Sequence, residues 1–214
     1  MAFARVARMP RRLQSADRDL RVSILTATRG LLDERPFDQI AVADILTAAG
    51  ISRGSFYFYF ESKQDVLAEL VRQAIAEGHA ASESWLGRGP GEDDRRAATR
   101  RSIADGARLW AEQAPVLRAI VENWRTDPKL TELWSELMAG FTRVTAEQID
   151  ADRAAGVITH RAIDSETLGA TLTWLGERLY YLAALGQAPF DDQEKLTDVL
   201  THIWMSALYT PEQP

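Results

Sequence analysis

The stretch Ala41-Val42-Ala43-Asp44-Ile45-Leu46-Thr47-Ala48-Ala49-Gly50-Ile51-Ser52-Arg53-Gly54-Ser55-Phe56-Tyr57-Phe58-Tyr59-Phe60 holds two short apolar-periodic segments on either side of Gly50. Val42 to Ala49 reads as a helix with Ile45 and Leu46 inward, and Gly50 suits the left-handed position that follows a helix end. Ser52 is an N-cap residue type and opens a second helix of about two turns, through Tyr59. Two short helices joined by a tight glycine turn form a helix-turn-helix, with Ile45, Ala49, Ile51 and Phe56 as its small core. Such a unit presents the start of its second helix to the DNA major groove, about 12 Å wide. The leading edge here is Ser52, Arg53, Gly54 and Ser55. Arg53 suits a guanine edge or a phosphate, the serine hydroxyls suit either, and Gly54 keeps the approach uncrowded. The five successive aromatics cannot all face one core. Tyr57 and Tyr59, with polar tips, are the expected outward members, their hydroxyls suited to phosphate oxygens. Lys63 opens the next helix, where an ammonium and free backbone N–H groups together suit a phosphate.

Working outward, almost every segment has the 3.6-residue period of a helix, and runs with strand-type alternation are missing. A helix is predicted from about Arg18 to Glu34, with Leu20, Ile24, Ala27, Leu31 and Leu32 on one face and Pro36 beyond its end. Ser62-Lys63-Gln64-Asp65 has capping-box spacing and opens a long helix carrying Val66, Leu67, Leu70, Val71, Ala74 and Ile75. Gly87-Arg88-Gly89-Pro90-Gly91 reads as an exposed loop. Further helices are predicted over about 94–113, 115–124, 128–154, 164–186 and 192–209, divided by Pro115, Pro128, Ala155-Gly156 and Pro189. The expectation is an all-α fold of nine helices: a flexible basic arm over 1–17, a helix-turn-helix domain over 18–78 and a helical domain over 79–214.

The segment from Phe37 to Lys63, followed by Leu67, resembles the TetR-type DNA-binding domain. The resemblance covers about residues 18–78. It implies an all-helical, dimeric transcription regulator, in most members a repressor that leaves DNA when a small molecule binds the C-terminal domain. Ser52, Gly54, Ser55, Tyr57 and Tyr59 match the recognition-helix pattern, and Lys63 matches the phosphate-contacting lysine. Position 41 often carries a capping threonine that touches phosphate; here it is Ala41, which has no hydroxyl, and neither Asp44 nor Thr47 is assigned its role.

Beyond that domain, Glu132-Leu-Trp-Ser135, Ile149-Asp-Ala-Asp-Arg153 and His202-Ile-Trp204 resemble a branch of the family whose C-terminal domain holds a long apolar, aromatic-lined pocket. All six tryptophans lie beyond residue 80. Composition alone fits an aromatic-rich core as well as a pocket wall. The resemblance implies a wall of Trp134, Met138, Phe141, Thr145, Thr173, Gly176, Tyr181 and Trp204, and Trp110 is a ninth candidate. Thr145 and Thr173 are the polar anchors, unless their hydroxyls satisfy their own helices. Gly176 stands where a larger residue is expected and would widen the pocket. The implied effector is elongated, largely neutral and apolar.

Leu168, Leu172, Leu175, Leu179 and Leu182 form a heptad-like stripe, and Leu196, Val199, Leu200, Ile203, Ala207 and Leu208 form a second. Either the two stripes are buried within one chain or two chains pair them as a four-helix bundle. A regulator needing two heads for two half-sites favours a homodimer through the last two helices.

Composition narrows the classes further. The chain has 214 residues, 46% hydrophobic and 26% charged, and a net charge of −6. With no cysteine, disulfides, Cys-ligated zinc and cysteine nucleophiles are excluded. Residues 1–72 carry eleven Lys/Arg against nine Asp/Glu, and residues 73–214 carry fourteen against twenty-two, so a mildly basic head sits on an acidic body. His79, His160 and His202 have no metal-ligand spacing, and no nucleophile motif, dinucleotide fingerprint or P-loop appears. Neither catalytic residues nor a metal or cofactor is expected. With no membrane-length apolar run and no apolar signal core behind Arg5, Arg8, Arg11 and Arg12, a cytoplasmic location is expected. The alternative reading is a helical apolar-ligand sensor or carrier without specific DNA binding.

Overall fold

The computed structural model describes residues 11–82, 92–159 and 161–209. Among them are nine α-helices and no strand: α1 (Arg11–Glu34), α2 (Val42–Ala49), α3 (Arg53–Tyr59), α4 (Lys63–Ser82), α5 (Glu92–Glu112), α6 (Ala114–Asn123), α7 (Pro128–Ala154), α8 (Ser165–Ala184) and α9 (Gln193–Tyr209). Single 3-10 turns, Phe37–Gln39 and Trp124–Thr126, follow α1 and α6. The first helix opens at Arg11, earlier than expected, so residues 11–17 of the basic arm are helical. Arg5 and Arg8, and the Gly87–Gly91 loop, lie outside the described residues.

The chain divides into two compact units, Met1–Leu70 and Val71–Pro214. The first is built on Ile24, Leu31 and Leu32 of α1, Phe37, Ile40, Ile45 of α2, Phe56 of α3, Phe60, and Val66, Leu67 and Leu70 of α4, all buried. At the end of α2, Gly50 takes φ +64°, Ile51 N–H donates to Leu46 O at 3.1 Å and Gly50 N–H to Thr47 O at 3.3 Å. This Schellman closure satisfies the orphan carbonyls of a helix of only eight residues and turns the chain toward α3.

In the second unit, α7 packs along α8 and α5 along α9. Asp127 caps α7 by accepting the N–H groups of Lys129 and Leu130, and Asp164 caps α8 by accepting that of Thr167. Those bonds hold the Asp164 carboxyl below its ordinary range. Helix α7 runs close to α8 at Gly169, where a Cβ would stand 3.1 Å from Thr142 O and 3.2 Å from Ala146 N. The two leucine stripes largely face inward. Leu179, Leu196 and Leu200 pack with Ile103 and Ala107 of α5, and Leu168, Leu172 and Leu208 pack with Ile149 and Ile158. Of the two packings open to these stripes, burial within one chain therefore accounts for most of their residues. Val199 is the stripe member left exposed.

Candidate functional site

Helix α3 is organised by its cap and its buried edge. Ser52 Oγ accepts the Ser55 N–H at 3.1 Å and lies 2.9 Å from Ser55 Oγ, so the two hydroxyls fix the first turn together. Phe56 and Phe60 point into the unit core with ring centroids 6.2 Å apart. On the opposite side, Tyr57 is 44% exposed and Phe58 73% exposed. The Arg53 guanidinium carbon lies 5.5 Å from the centre of the Tyr57 ring, one helical turn on. A Cβ on Gly54 would meet nothing nearer than Ser52 Oγ at 3.8 Å, so the leading edge is open there.

The outward aromatic pair is therefore Tyr57 and Phe58. Tyr59, expected outward beside Tyr57, is half-buried with its ring edge-on to Phe58, their centroids 5.0 Å apart. The reason is helical phase: Tyr59 stands three residues from the fully buried Phe56, whereas Phe58 stands four residues from the exposed Gly54. That spacing is present in the sequence.

Lys63 also departs from expectation. Its ammonium donates to Ile40 O at 2.6 Å, Phe37 O at 2.9 Å and Asp38 O at 3.4 Å, and stands 4.6 Å from the centre of the Phe37 ring. Three donors meet three carbonyls in and just after the first 3-10 turn, so in this structure Lys63 ties the start of α4 to that turn rather than reaching outward to a phosphate. Desolvation lowers its pKa, outweighing the opposite pull of Asp38 and Asp44. Lys63→Ala is expected to cost about 1–3 kcal/mol of stability, read from urea unfolding, because it strands part-buried acceptors. The salt dependence of DNA binding should keep its slope; a slope flatter by about one charge would return Lys63 to the interface.

Near position 41, Asp44 and Thr47 both have partners within the chain. Asp44 accepts the Ala41 N–H at 2.8 Å and lies 3.4 Å from Arg35, and the Thr47 hydroxyl donates to Ala43 O at 3.0 Å.

In the second unit, several expected wall residues are buried. Trp134 is 2% exposed, and Met138 and Trp110 are buried. The Trp110 ring lies with its centroid 6.4 Å from that of Tyr180, inclined by 31°, and the Tyr180 hydroxyl donates to Ile103 O. Thr145 is buried with its hydroxyl donating to Phe141 O of its own helix, which removes it as a ready anchor; Phe141 itself is half-buried. A Cβ on Gly176 would stand 3.6 Å from Tyr180 Cε2, in ordinary van der Waals contact with that ring. Trp204 packs against both leucine clusters. Thr173 is half-buried, as is Tyr181, whose hydroxyl donates to Glu122 Oε1 at 3.2 Å.

A cavity of about 570 Å³ lies beside these residues, lined by Val121, Glu122, Trp124, Arg125, Trp174, Glu177 and Arg178. None of the nine expected wall residues lines it. Its α8 members are Trp174, Glu177 and Arg178, the first two each one position beyond the expected Thr173 and Gly176. A shift of one residue turns a helix by about 100°. Burial pushes the Glu177 carboxyl upward, with Arg178 acting in the opposite sense.

Residues 24–70, which include all seven α3 and Lys63 candidates, match the bacterial regulatory proteins of the tetR family. Residues 99–210 match the C-terminal domain of the transcriptional regulator EthR. The HTH-type transcriptional regulator EthR of Mycobacterium tuberculosis (strain ATCC 25618 / H37Rv) is 32% identical over 191 residues, 89% of this chain and 88% of that protein. The chain belongs to the TetR family of bacterial regulatory proteins. EthR of Mycolicibacterium smegmatis is likewise 32% identical, over 98% of this chain and 96% of its own length. A crystal structure of a TetR-family regulator from a Rhodococcus species superposes with a TM-score of 0.69 at 21% identity, covering 88% of this chain and all of that one, and speaks for the fold. The TetR-type match contains α2 and α3 whole, and the EthR-type match contains Glu132–Ser135, Ile149–Arg153 and His202–Trp204. TetR-family regulators act on DNA operators and answer to small-molecule effectors. Among the described residues no cluster of three or more His, Cys, Asp or Glu is placed to hold a metal, and no helix is long and apolar enough to cross a membrane.

Proposed function

We propose that this chain is a ligand-responsive transcriptional repressor that binds its operator through α3 and leaves it when an apolar small molecule binds the second unit. The observation that carries the reading is the capped, rigidly seated α3, whose outward face offers Arg53, Gly54, Tyr57 and Phe58 in a chain of TetR-family sequence. Ser52 and Ser55 fix that helix and stand at the groove edge, with Tyr59 at its margin. The acting form is a homodimer, since two recognition helices are needed for two half-sites. Its interface is the outward side of α8 and α9, where Val199 is exposed. The work is regulatory rather than catalytic, and its setting is the cytoplasm, where the operator is.

The direct test is a mobility shift with DNA from immediately upstream of the protein's own gene, at fixed salt with unrelated competitor. A specific complex that dissolves on adding an apolar effector is expected. Apolar-ligand binding without any specific complex would favour the sensor or carrier reading instead. Within a positive assay, Arg53→Ala should cost about 1–3 kcal/mol of binding and relax base preference at one position in each half-site. Equal weakening on every sequence would reassign Arg53 to the phosphate backbone.

A further inference from the structure

Among the described residues, Phe58 is the most exposed large apolar side chain. It closes one end of a contiguous arc of α3. At about 100° per residue, Arg53, Tyr57, Gly54 and Phe58 follow one another round roughly 140° of the helix, and all four are exposed. Phe56, on the opposite side, is fully buried. The Phe58 ring meets that of Tyr59 edge-on, which leaves most of its surface to solvent. An apolar ring so placed gains free energy from any apolar partner that covers it.

The neighbours on this arc narrow the partner. Arg53 offers a guanidinium, whose carbon lies 5.5 Å from the centre of the Tyr57 ring, and Tyr57 offers a hydroxyl. Those two serve polar groups, whereas a phenyl ring donates and accepts no hydrogen bond. Of the groups that distinguish base pairs in the major groove, the thymine C5 methyl is the apolar one; the others are donors and acceptors. Helical side chains lean toward the N-terminus of their helix, which brings position 58 over the turn of Gly54. A Cβ at Gly54 would meet nothing nearer than Ser52 Oγ, so that turn leaves room for a base edge to approach the ring.

We propose that Phe58 determines part of the operator sequence by packing on the C5 methyl of one thymine in each half-site. This rests on the regulator reading of α3 and adds to it the identity of a base. The test starts with the full chain selecting duplexes from a randomised DNA library. It should enrich a site with one thymine in each half that Phe58→Ala no longer selects. Replacing that thymine by uracil in both half-sites then removes two methyl groups and keeps the pairing with adenine. Covering one methyl is worth about fourfold in affinity, so the doubly substituted site should bind the parent about fifteenfold more weakly in mobility shifts. Phe58→Ala should bind the thymine and uracil duplexes alike, and Phe58→Leu, still apolar, should keep part of the discrimination. Both variants should melt with the parent, because the position is exposed.

Equal affinity of the parent for the two duplexes, or discrimination that survives Phe58→Ala, would overturn the proposal while specific DNA binding stands. Weakening by Phe58→Ala that is uniform over all sequences would do the same, and would place the ring against the sugar–phosphate backbone. If the parent enriches no sequence at all, the regulator reading itself falls and the base assignment falls with it.

Discussion

Trp134→Ala is expected to lower the unfolding free energy by about 3–5 kcal/mol, the range for emptying an aromatic site that cannot collapse. Trp134 sits on α7 at 2% exposure and is among the largest fully buried side chains in the structure. Folded proteins hold only about 5–15 kcal/mol in total, so the variant should melt well below the parent in circular dichroism. Trp134→Phe separates two contributions. It keeps most of the ring contact and deletes an indole N–H that is buried without a hydrogen-bond partner, so it should cost less than alanine. If Trp134 instead walled an effector pocket, alanine would leave the melting point nearly unchanged and alter ligand affinity. That outcome would overturn the packing role.

Phe56→Ala should have an effect of the same size in the first unit, again about 3–5 kcal/mol. Phe56 is fully buried, and its ring meets Tyr57 edge-on at 5.3 Å and Phe60 at 6.2 Å. It is the buried side chain of a seven-residue helix that has little intrinsic stability. Removing it should loosen α3 and abolish DNA binding on every sequence, in contrast to the position-specific effect of Arg53→Ala. Mobility shifts paired with thermal melts read both. Retained specific binding with a loss under about 1 kcal/mol would mean that α3 is seated by something other than Phe56.

Much of this architecture is legible in the chain itself. Gly50, Ser52, Pro128 and Asp164 each mark a helix end by a local mechanism, a left-handed turn, a side-chain cap or a missing N–H, and local mechanisms need no knowledge of the rest of the fold. The apolar period of α7 is likewise self-contained. What could not be read depends on partners distant in sequence. Lys63 turns inward because the carbonyls of Phe37, Asp38 and Ile40, more than twenty positions earlier, converge on it. The leucines of α8 and α9 look like a seam for another chain until Ile103, Ala107 and Ile149 arrive to cover them. The α6–α8 cavity needs Trp124 and Trp174 side by side, fifty residues apart, and no periodicity within either helix announces that. Phe58 is the exception, since helical phase alone already sets it apart from Phe56.

Gly54 sits on the exposed leading edge of α3 with open space where a side chain would be. Because glycine is the poorest helix former after proline, almost any replacement there would raise helix propensity, by up to about 1 kcal/mol. Under the proposed role of α3, operator preference and fold stability are thus decoupled at this position. A descendant of this gene could acquire a new reading head by a single substitution and start repressing different promoters, with no compensating change needed elsewhere in the protein.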